Sequence, residues 1–109
     1  MASQQQFVDF IIEQMDMEQI TYKKMFGEYG LYVGNKMFAL VCDNKLFIKT
    51  TTSGKEYIGE VLEAAPYEGA KLCFLIEDKM EDSNWLRKLV EITAQELPEP
   101  KPKKKRKIL

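Results

Sequence analysis

The chain has 109 residues, 45% hydrophobic and 30% charged, which is the composition of one soluble domain with one core. No apolar run approaches the roughly 18 residues of a membrane span and the start lacks a basic-then-apolar secretory pattern, so a cytoplasmic protein is expected. The net charge of −1 conceals an asymmetry: residues 1–97 carry ten basic and sixteen acidic side chains, a balance of −6, whereas residues 98–109 carry six and one, a balance of +5.

The first element expected is a helix. Phe7, Val8, Ile11, Ile12 and Met15 share one stripe of a 3.6-residue period, and Ser3 with Gln6 supplies a capping-box start. A block of strands follows. Ile20 to Phe26 is β-leaning, and Gly27 permits a sharp change of direction before a second strand from Tyr29 to Val33. Gly34-Asn35 suits a type II′ hairpin turn, and Met37 to Cys42 then forms an apolar third strand. Asp43-Asn44, both tolerant of positive φ, make a second tight turn before a fourth strand from Lys45 to Lys49.

A short second helix is read from Tyr57, Ile58, Val61 and Leu62, with Ser53 and Glu56 as a capping box and Gly54 as a weak spot between them. Pro66 to Ala70 is a loop, and Leu72 to Ile76 one further strand. The last helix runs from about Ser83 to Ala94. It carries Trp85, Leu86, Leu89, Val90 and Thr93 on its apolar stripe, takes Asp82 or Ser83 as cap, and is stopped by Pro98.

The order helix, four-strand meander, helix, strand, helix predicts a two-layer α+β fold, with helices packed on a mostly antiparallel sheet. Met37 to Cys42 is apolar on both faces, as befits a central strand covered on both sides or a second face used in a homodimer. The folded domain is expected to span residues 1–97. Residues 98–109, with their prolines and self-repelling lysines, are expected to form a disordered basic tail.

The inventory of reactive groups is thin. The absence of histidine removes Ser-His-Asp and Cys-His nucleophile sets and histidine metal ligands. Cys42 and Cys73 are not a C-x-x-C pair. They sit in apolar runs and are expected as free thiols acting as small hydrophobes. GEYG, residues 27–30, precedes no helix N-terminus with lysine, so no phosphate cradle is formed. No catalytic set, metal site or cofactor is expected.

Candidate contacts remain. Glu28, with Tyr29 in the same turn, could meet a partner's arginine or a backbone donor, although turn carboxylates more commonly satisfy nearby backbone groups. Glu77, Asp78, Glu81 and Asp82 have oxygen ligands for a divalent cation, but fit better as helix-entry charges. Phe26, Tyr29, Tyr32, Phe38 and Phe47 could stack bases, yet the acidic surround favours core packing with the aromatics facing the helices. Lys101, Lys103, Lys104, Lys105, Arg106 and Lys107 could contact nucleic acid through phosphates without reading sequence.

MFGEYGLY at residues 25–32, KMFALVCDNKLFIKT at 36–50 and FLIEDKMEDSNWLRKLVEIT at 74–93 together resemble the N-terminal domain of the TfoX/Sxy family over about residues 5–97. The resemblance implies a regulator of natural competence for DNA transformation. It also implies a secretion-chaperone-like two-layer fold, often dimeric. Fuller family members carry a second, helical domain, in whose place this chain has the basic tail. Two functions follow as expectations. One is a non-enzymatic transcription-linked regulator working by contacts with an unknown protein partner and weak DNA association. The alternative is a small peptide-binding or chaperone-like module with no nucleic-acid role.

Overall fold

The computed structural model describes residues 5–25 and 27–98. The elements are α1 (Gln5–Met15), β1 (Ile20–Met25), β2 (Glu28–Val33), β3 (Lys36–Cys42), β4 (Lys45–Lys49), α2 (Thr52–Ile58), β5 (Glu63–Ala64), β6 (Cys73–Ile76) and α3 (Ser83–Glu96). The strands form one antiparallel sheet in the order β1-β2-β3-β4-β6-β5. This is the expected α+β architecture, extended by the two-residue strand β5, which is too short to leave a periodic signal.

The turns form as their residues dictate. Gly34 has φ +62° and Asn35 does not enter the positive region, as the II′ hairpin requires. Asp43 and Asn44 both do, at φ 55° and 57°, giving the β3–β4 hairpin the doubly positive geometry that matches strand twist. Between β2 and β3 the register slips. Leu31 faces Ala39 while Tyr32 faces Met37, so Phe38 is the extra residue of a bulge. Both Phe38 and Ala39 thereby join the main core.

That core lies between the sheet and the helices. Val8, Ile11 and Met15 of α1, Leu86, Leu89 and Val90 of α3, and Leu31, Val41, Leu46, Ile48, Phe74 and Ile76 of the sheet are buried together. Helix α3 is the hub, touching α1, α2 and β3. Its start follows the expected chemistry, with the Asp82 carboxylate accepting from Trp85 N at 3.1 Å. Thr93 is fully buried and returns its hydroxyl to Leu89 O at 2.8 Å.

Helix α2 departs from expectation. Its cap is Thr51, whose hydroxyl accepts from Gly54 N at 3.0 Å, rather than Ser53. The Thr52 and Ser53 amides are taken instead by the Glu96 carboxylate, at 2.8 and 2.9 Å. The helix ends at Ile58 because Gly59 turns to φ 84°, so Val61 and Leu62 lie beyond it. Gly54 is no weak spot. It is buried, and a Cβ there would stand 2.6 Å from the Thr51 hydroxyl oxygen. The Ser3 cap and Phe26 lie outside the described residues.

Candidate functional site

Strand alternation decides which side chains face away from the helices. In β4, Leu46 and Ile48 enter the helix-side core, so Phe47 must point to the opposite face. Its cross-strand neighbours Leu40 and Leu75 do the same, and with Cys42, Cys73, Met37 and Ala64 they build a second apolar cluster there. Two of the aromatics therefore do not face the helices as expected. Phe47 belongs to the second cluster. Tyr32 lies one residue out of phase with Leu31, and the Lys23 ammonium sits 5.9 Å from its ring centroid. Tyr29 and Phe38 do pack in the helix-side core.

A groove of about 390 Å³ opens on this second face. Met37, Leu40 and Cys73 of the sheet line it, and the segment Pro66–Leu72 forms the other wall. Tyr67 and Leu72 of that segment are 60% and 55% exposed, large apolar surfaces left in water beside the groove. Lys49 and Lys71 bring positive charge to it, and no carboxylate is among the lining side chains. Two other concave regions are different in kind. One, beside α2, carries Glu56, Glu63 and Glu96, and the other carries Glu60, Glu77 and Asp78.

The thiols are free and buried. Burial pushes Cys42 up to about 11, with Glu28 adding to the rise. Burial likewise raises Cys73, while the Lys49 ammonium acts in the opposite sense. Neither thiol is poised as a nucleophile at neutral pH.

The residues named from sequence are not brought together. Glu28 accepts from Asp43 N at 3.2 Å, tying β2 to the β3–β4 turn. Tyr29 is 2% exposed, donates to Gln5 Oε1 at 3.2 Å and meets Tyr22 edge-on, so it braces α1 on the sheet. Of the acidic group, Asp82 is occupied as a helix cap, and among the described residues no set of three metal-capable side chains gathers. Lys101, Lys103, Lys104, Lys105, Arg106 and Lys107 lie outside the described residues. No helix among those described is long and apolar enough to cross a membrane.

Tyr67, Leu72, Lys49 and Lys71 were not singled out by sequence. Their significance depends on the loop after β5 lying against the second face, which nothing local announces. The usable signal was the alternation in KLFIK, residues 45–49, which puts Phe47 opposite Leu46 and Ile48.

A protein of Spirochaeta aurantia, described as "Uncharacterized 12.7 kDa protein in trpE 5'region", is 34% identical over 105 residues, covering 95% of this chain and 91% of that protein. The model of the TfoX N-terminal domain matches residues 13–97, which takes in the sheet, the end of α1 from Glu13 to Met15, and both later helices. The chain belongs to the TfoX N-terminal domain family.

Proposed function

We propose that this is a non-enzymatic, cytoplasmic regulatory protein of the TfoX type, acting by contact with a protein partner and aided by weak, sequence-independent association with DNA. The observation that carries the reading is the family match across residues 13–97, joined to a second sheet face on which apolar side chains meet the half-buried Lys49 and the exposed Lys71. In support, the described residues offer surfaces rather than reactive centres: buried thiols with raised pKa and carboxylates engaged in caps and turns. Lys101, Lys103, Lys104, Lys105, Arg106 and Lys107 supply the DNA component through counterion release.

The DNA component is tested by replacing those six residues with serine in the full chain and measuring retention of duplex DNA at low salt. Retention should vanish in the variant, and in the wild type it should fall steeply with added salt. Unchanged retention would remove the tail from the mechanism. The groove favours a second reading, a peptide-binding module that has no nucleic-acid role. Under that reading the wild-type chain retains no DNA at low salt.

A further inference from the structure

The groove between the sheet and the Pro66–Leu72 segment is lined by two lysines although the body as a whole is acidic. Residues 1–97 carry sixteen acidic side chains against ten basic ones, yet the side chains lining this groove include two lysines and no carboxylate. Most other cations of the body are engaged. Lys55 faces Glu63 at 4.0 Å, Arg87 faces Asp16 at 3.4 Å, Lys36 donates to Ala94 O at 2.8 Å, and Lys79 lies over the Trp85 ring. Lys49 and Lys71 have no ion pair or hydrogen-bond acceptor among the described residues. The same groove is lined by apolar Met37, Leu40 and Cys73, and by Tyr67 and Leu72, which are more than half exposed.

We infer that this groove is a docking site for a short peptide segment of a partner protein, in which aliphatic or aromatic side chains alternate with aspartate or glutamate. The inference rests on the protein-contact reading above and gives it a surface and a chemistry. An apolar anchor fills the floor over Leu40 and Cys73, while carboxylates meet the Lys49 and Lys71 ammonium groups. The volume of about 390 Å³ is at the lower end of the range, roughly 300–1,000 Å³, in which compact ligands are held. It suits one or two anchoring side chains rather than a whole folded surface. Charge then sets specificity and encounter rate, because a basic segment of equal hydrophobicity is repelled by the same two lysines.

The test uses the full chain and fluorescent ten-residue peptides in which leucine and phenylalanine alternate either with aspartate and glutamate or with lysine. The acidic peptide should bind at least tenfold more tightly than the basic one, and its affinity should fall as salt is raised. The double variant Lys49→Glu with Lys71→Glu should reverse that preference, and Leu72→Ser alone should weaken both peptides, with circular dichroism confirming that each variant is folded. Equal affinity for the two peptides, or a charge-reversed variant that binds like wild type, overturns the proposal. So does displacement of the acidic peptide by a single-stranded oligonucleotide that binds more tightly. A wild-type mass of two copies that Lys49→Glu with Lys71→Glu returns to one also overturns it, because the groove then holds a second copy. If the charge-reversed variant still captures the same protein from an extract as wild type does, the groove proposal fails while the protein-contact reading stands.

Discussion

Two neighbouring residues show how narrowly α2 is specified. The Thr51 hydroxyl caps the helix only because Gly54 has no side chain, since a Cβ at that position would lie 2.6 Å from the hydroxyl oxygen and 3.4 Å from the Phe74 ring. Rotating Thr51 away relieves the clash but releases the cap. Alanine gains up to about 1 kcal/mol in helix propensity over glycine, against roughly 1 kcal/mol for the lost cap and about 1–3 kcal/mol for overpacking. Gly54→Ala should therefore lower stability by about 1–3 kcal/mol in urea denaturation, although alanine is the better helix former. Glu96 completes the same corner from the other end of the domain. The Ser53 and Thr52 amides hold its carboxyl below the usual 4.5. Because the folded pKa is depressed, its contribution is present above the ordinary carboxylate pKa and is lost as pH falls through the folded value. Glu96→Gln should flatten the acid limb of a stability-against-pH curve measured from pH 6 downwards, and leave the slope above pH 6 unchanged.

At the level of elements, legibility followed the range of the interaction. The stripe of α1, the caps and stripe of α3 and both tight turns are written within a few residues of one another, and each formed where its residues indicated. Asn44 makes the point in energetic form. Its φ of 57° suits asparagine and opposes a β-branched side chain, so Asn44→Val should cost about 1–2 kcal/mol in thermal or urea unfolding. The start of α2 could not be read in the same way. Ser53 with Glu56 has the capping-box spacing, but its amide is claimed by Glu96, 43 residues away in sequence, and that leaves Thr51 to cap. Nor could β5, whose two residues exist as a strand only because β6 offers an edge. The aromatics divided between the faces for a reason the alternation already contained, but composition alone sent them all to one side.

For the whole molecule, the sheet separates two environments of unlike size. The helix side buries the larger core, and the other side carries the smaller cluster with the groove and its lysines. The groove was the least legible part, because it joins β3, β4, β6 and the loop between β5 and β6, brought together only by the strand order. That order, β1-β2-β3-β4-β6-β5, also bears on how the chain emerges from a ribosome. The meander up to Lys49 is made of local pairings and can assemble as soon as it is synthesised. Its last strand, carrying Leu46, Phe47 and Ile48, then waits with an unsatisfied hydrogen-bonding edge until Cys73 to Ile76 have been made. During that interval the nascent chain presents an open apolar edge of the kind that can pair with other chains, a hazard that ends when β6 is made.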